Sequence, residues 1–128
     1  MKTLLIVAVA LVVSTNTFAQ RDGNTMVSEC GLAVARDNGQ KLDTVDEMLG
    51  ALGCTAYVAG YLDALHLMSD LGKGRLFCQP EDRLSVTQAE RIFTKYLEAH
   101  PEQLHKSAEF LLSLSLVEAF PCKGSPPK

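Results

Sequence analysis

Four cysteines stand at positions 30, 54, 78 and 122, all downstream of a segment with the order of an export signal, and that combination constrains the fold more than any other feature. Residues 1–19, MKTLLIVAVALVVSTNTFA, open with Lys2, run apolar from Leu4 to Val13, turn polar and close on Ala19. Cleavage is expected after Ala19, because the apolar run is too short for a hydrocarbon core that takes about 20 residues of helix. The next residue is Gln20, not a lipid-accepting cysteine, so the expectation is a free periplasmic protein with no membrane partner. An even number of cysteines in a small exported domain argues for two disulfides. Structural zinc sites bring their ligands in close pairs, whereas these four are scattered with no close pair, so neither a metal nor a cofactor is expected.

The chain has 128 residues with twelve Lys and Arg against fifteen Asp and Glu, a net charge of -3. That balance leaves no electrostatic footprint for nucleic acid. Residues 20–122 are long enough for one modest helical core, and the tail 123–128, KGSPPK, is expected to be disordered.

No run alternates apolar and polar residues over a strand length, whereas spacings of three and four recur throughout. A first helix is expected over 26–35, ending at Asp37-Asn38-Gly39. A second starts near Asp43 or Thr44, where Thr44 and Glu47 have capping-box spacing, and runs to about Ser69. Its apolar stripe reads Val45, Met48, Leu49, Leu52, Ala56, Ala59, Leu62 and Leu65. Its many small residues cost helix propensity and suggest close approach of another helix.

Residues 70–84, DLGKGRLFCQPEDRL, have two Gly, one Pro and no helical period, and read as a long loop tethered by Cys78. A third helix starts at Ser85, with Gln88 at capping-box spacing and Leu84 and Ala89 at staple spacing; Ala89, Ile92, Phe93, Tyr96 and Leu97 form its buried face. His100-Pro101 breaks it, and a fourth helix is expected over 101–119. Leu104, Ala108, Leu111, Leu112, Ser115 and Ala119 mark its inner face, and a broad apolar arc beyond them allows a homodimer. The fold class is therefore all-α, a small bundle of about four helices. Helices one and two would bring Cys30 to Cys54, leaving Cys78 in the loop to meet Cys122 beyond helix four.

No constellation supports catalysis. His66, His100 and His105 lack the spacing of zinc hydrolases, no G-x-S-x-G elbow occurs, and Gly72-Lys73-Gly74 is too short for a phosphate loop. His100 reads as a junction residue and His66 as a partly buried, hydrogen-bonded one; a hydrolase built on His66 or Asp63 ranks last, and the chain is not expected to be an enzyme. The mixed charges Asp70, Lys73, Arg75, Glu81, Asp82 and Arg83, with apolar Leu76 and Phe77, make the loop the candidate surface for a protein partner.

Cys54-Thr55-Ala56-Tyr57-Val58-Ala59-Gly60, Phe77-Cys78-Gln79-Pro80, Tyr96-Leu97-Glu98-Ala99-His100-Pro101 and Ala119-Phe120-Pro121-Cys122 follow one another in this chain. Together they resemble the Rap/Tai immunity protein family associated with type VI secretion, over about residues 28–122. The resemblance implies a small all-helical periplasmic inhibitor, commonly a homodimer when bound to its effector, that blocks a peptidoglycan-cleaving amidase injected by neighbouring bacteria. It also implies architectural roles: Cys54, Cys78 and Cys122 as staples, Gly60 for close packing, and Tyr96, Leu97 and Pro101 at the third helix junction. The competing expectation is a periplasmic stress chaperone or envelope-assembly protein that exposes apolar surface after a pH trigger.

Overall fold

The computed structural model describes residues 20–123; the expected signal peptide, and the tail beyond Lys123, lie outside them. Four helices run in chain order: α1 (Gly23–Asp37), α2 (Val45–Asp70), α3 (Val86–Ala99) and α4 (Ala108–Ala119), with a short 3-10 turn at Pro101–Gln103 and no strand among the described residues. Helix α1 packs chiefly against α2 and α3, and α3 against α4. The two disulfides are Cys30–Cys54 and Cys78–Cys122.

The helix starts follow their capping chemistry. Thr44 accepts from the Glu47 N–H at 3.2 Å while Glu47 accepts from the Thr44 and Asp43 N–H groups, which holds the Glu47 carboxyl below the usual glutamate range. Ser85 accepts from the Gln88 N–H. Helix α1 is longer than expected at both ends. Asp22 caps it by accepting from Thr25, and Gly39, at φ +84°, closes it.

The N-terminal half of the expected stripe on α2 is turned away from the core, while Leu62 and Leu65 at its C-terminal end pack into it. Ala51, Cys54, Val58 and Leu62 are the buried line, whereas Val45, Met48, Leu49 and Leu52 are 44–64% exposed. The displacement from Leu52 to Ala51 is one residue, roughly 100° of helix rotation. Size decides it. A methyl added at Gly53 would come 2.9 Å from the Glu29 carboxylate, and one at Gly50 would come 3.0 Å from Leu32. Helix α1 approaches along the small-residue face, and the Cys30 and Cys54 Cα atoms are 5.0 Å apart. Gly60, expected to serve close packing, instead faces open space.

The third and fourth helices are not joined as expected, because residues 101–119 do not form one helix. In a continuous helix the Ala108 N–H would bond Leu104, but the segment entering α1 intervenes. The Leu104 carbonyl accepts from the Asn24 N–H at 3.1 Å, the Lys106 carbonyl from the Gly23 N–H at 3.1 Å, and the Ala108 N–H donates to Arg21 at 2.8 Å. Helix α4 therefore starts only at Ala108, after the Ser107 N-cap, and buries Ala108, Leu111, Leu112, Ser115 and Leu116, while Ala119 is exposed. On α3, Ala89, Phe93, Tyr96 and Leu97 are buried as expected and Ile92 is half-buried, but Glu90 and Thr94 are buried with them.

Candidate partner-binding site

The loop between α2 and α3 is built from fixed points. Helix α2 ends in a Schellman motif: the Lys73 N–H donates to Met68 and the Gly72 N–H to Ser69, both at 3.0 Å, with Gly72 at φ +69°. The chain then leaves the helix at Lys73. At mid-loop, Phe77 is 4% exposed and lies 6.1 Å from the Phe120 ring, the Cys78 N–H donates to the Phe120 carbonyl at 3.0 Å, and Cys78 is bonded to Cys122. Leu84 is buried at the far end, directly before the Ser85 cap. The loop is thus pinned at both ends and in the middle, and residues 71–76 between the first two pins are exposed.

Between the loop and the last turns of α2 lies a groove of about 490 Å³. Of the residues singled out in the sequence, Asp70, Arg75, Leu76, Phe77, Glu81 and Arg83 line it, whereas Lys73 and Asp82 are exposed outside it. Phe77 lines it as a wall, since its ring belongs to the core. Leu76 is 49% exposed, and Leu71 at the start of the loop is exposed as well. Among the described residues, no ion pair engages Asp70, Lys73, Arg75, Glu81, Asp82 or Arg83. Six charges without an internal partner leave their fields available to an incoming surface.

The groove also takes in His66 and Gln79. His66 meets the Gln79 side chain at 3.1 Å, tying the loop back onto α2, and this is the hydrogen-bonded role expected of that histidine. Cys30 and Cys54 are fully buried while Cys78 and Cys122 are partly accessible, so one disulfide staples the core and the other holds the loop.

A second surface lies on the outward face of α2. Val45, Met48, Leu49 and Leu52 at one end and Leu67, Met68 and Leu71 at the other are all exposed, with the small residues Ala56 and Gly60 between them. By length and composition α2 could cross a membrane, yet its opposite face is bonded to α1 and forms part of the core. Nothing in the sequence separated these faces, because apolar residues occur all round the helix.

No curated protein and no solved structure matches the chain significantly. The profile of the Rap1a immunity proteins matches residues 22–122, from the Asp22 cap of α1 to the cysteine that tethers the loop. With four helices, two disulfides and nearly all the described residues inside that match, the chain belongs to the Rap1a immunity protein family.

Proposed function

We propose that this protein is a periplasmic, non-enzymatic inhibitor that neutralises a peptidoglycan-cleaving amidase delivered by type VI secretion, by seating the tip of its 71–84 loop in the enzyme's cleft. The observation that carries this reading is an exposed tip with unpaired charges, pinned to a rigid bundle. Preorganisation of this kind lowers the ordering cost of binding. Asp70, Lys73, Arg75, Leu76, Glu81, Asp82 and Arg83 are the proposed contacts, with Phe77 holding the tip in place. Family membership and the two disulfides support an exported antagonist, for which cleavage after Ala19 would leave the bundle free in the periplasm. Inhibition then needs no chemistry from the chain, only an interface of roughly 1,200 to 2,000 Å² that excludes substrate.

The disulfide-intact protein, used as bait on periplasmic and culture-supernatant fractions, tests this directly. The expected prey is an amidase whose digestion of peptidoglycan stops at one equivalent of inhibitor. Lys73→Glu combined with Arg75→Glu should weaken that inhibition roughly tenfold, mostly through slower association, with the helical circular dichroism unchanged. Undiminished inhibition by the double variant would remove the tip from the contact surface.

The outward face of α2 is assigned to a second copy of the chain. Its exposed apolar side chains flank a small-residue centre, which permits two such helices to approach closely. Sedimentation is expected to give the mass of two chains, and Leu49→Glu with Leu52→Glu to give one. A wild-type monomer at micromolar concentration would reject the assignment.

A further inference from the structure

Among the described residues, four buried side-chain oxygens have no hydrogen-bond partner: Asp37 Oδ2, both carboxyl oxygens of Glu90, and Thr94 Oγ1. They belong to one place, the junction of the α1 C-terminus with α3. Glu90 and Thr94 lie one turn apart on α3, and the Asp37 carboxyl faces Glu90 from the last residue of α1. Glu90 is fully buried.

Thr55, the neighbour from α2, gives its only hydroxyl proton to the Ala51 carbonyl at 3.1 Å and accepts from Arg36 at 3.2 Å. Arg36 spends its other contacts on Asp37 Oδ1, through Nε at 3.1 Å and Nη2 at 2.9 Å. No cation is paired with Glu90, and the Thr94 hydroxyl is the nearest uncommitted donor. As a carboxylate it would be a buried charge without an ion pair, facing a second negative group. A single proton on Glu90, directed at Asp37 Oδ2, satisfies both orphaned groups, and the free Thr94 hydroxyl can then turn to the remaining Glu90 oxygen.

We propose that Glu90 is protonated in the folded protein, with its proton directed at the Asp37 carboxyl, and that this buried carboxyl pair is a proton-dependent latch between α1 and α3 that loosens as the pH rises. The charges that bear most on Glu90 both come from α1, Arg36 and Asp37, while α2 presents only the neutral Thr55. Burial pushes the Glu90 carboxyl above the usual glutamate range and the Asp37 charge pushes it further, against the opposing pull of Thr55 and Arg36. The folded state then holds a proton that the unfolded state has released. The stability this adds is complete below the ordinary glutamate range and is lost as pH rises through the folded-state value, by about tenfold in the unfolding constant per pH unit between the two. Loosening there reaches the binding loop, because α3 begins at the end of that loop.

Carboxyl carbon NMR of the labelled, disulfide-intact protein between pH 4 and 9 tests the latch without any variant. Glu90 is expected to titrate above every other glutamate. Urea denaturation of the wild type should show stability falling over the same interval, and Glu90→Gln, whose amide still donates to Asp37, should abolish that slope. Glu90 titrating with the surface glutamates overturns the proposal, as does a Glu90→Gln protein that keeps the slope. Stabilisation by added calcium at pH 8 would also overturn it, by showing that a cation and not a proton fills the site. If Glu90→Gln fails to fold, the wild-type titration decides alone.

Discussion

Replacing Cys30 and Cys54 together by alanine is expected to cost about 3.4 kcal/mol, the chain entropy released when a closed loop of 24 residues is opened. The site makes that figure meaningful, because both residues are fully buried where α1 lies against the small-residue face of α2. Alanine is the informative replacement. Serine would bury two hydroxyls with no assured partners and add a desolvation cost unrelated to the cross-link. Against a net stability of about 5 to 15 kcal/mol for a domain, the loss takes a large share of the total and should leave the variant marginal at 37 °C. Urea denaturation of wild type and variant at pH 7 measures it. A difference below about 1 kcal/mol would mean that the packing of α1 on α2 holds this pair of helices without the covalent bond.

Much of this architecture was legible in short-range chemistry. The Thr44 and Glu47 capping box, the Ser85 cap and the break at His100-Pro101 are set by groups within four residues of one another, and all three are present. The disulfide pairing followed once Cys30 and Cys54 were placed on neighbouring helices and Cys78 and Cys122 outside them. What the sequence concealed depends on partners distant along the chain. The buried face of α2 is chosen by the small side chains that admit α1; their density foretold a close approach, but in a helix apolar all round it did not show which side would take it. The late start of α4 is imposed by residues 21–24, which bond the carbonyls of Leu104 and Lys106 from some eighty residues away. Glu90 reads as an ordinary polar residue in a helix start, and only the assembled bundle closes over it. In the loop between α2 and α3 the sequence offered Phe77 as a candidate contact, whereas its ring belongs to the core, 6.1 Å from Phe120.

The loop tether gives the other large effect, and it separates recognition from folding. Opening Cys78–Cys122 by serine substitution at both positions removes a cross-link that closes 44 residues, worth up to about 4 kcal/mol in chain entropy. Both positions are partly exposed, so serine hydroxyls can reach water there and the substitution adds little desolvation cost. The Phe77 and Phe120 rings and the Cys78 N–H bond to the Phe120 carbonyl still favour the native path, but the exposed segment 71–76 loses its covalent boundary. Fixing a residue's backbone costs about 1 to 2 kcal/mol. If only one such cost is moved from folding to binding, inhibition of the captured amidase weakens about five- to thirtyfold, and two or three would make it about thirtyfold or more. The core disulfide is inaccessible by contrast, so mild reduction of the wild type should open Cys78–Cys122 first and reproduce the loss while the helical circular dichroism persists. Two variants of the same loop separate charge from frame. Lys73→Glu with Arg75→Glu alters the tip's charge on an intact frame, whereas the serine pair alters the frame beneath an intact tip. An inhibitor that recognises its target through a preorganised tip must lose affinity in both. Loss in the charge variant alone would mean that the tip acts without preorganisation, and full inhibition by the untethered protein at saturating concentration with unchanged affinity would place the contact elsewhere on the bundle.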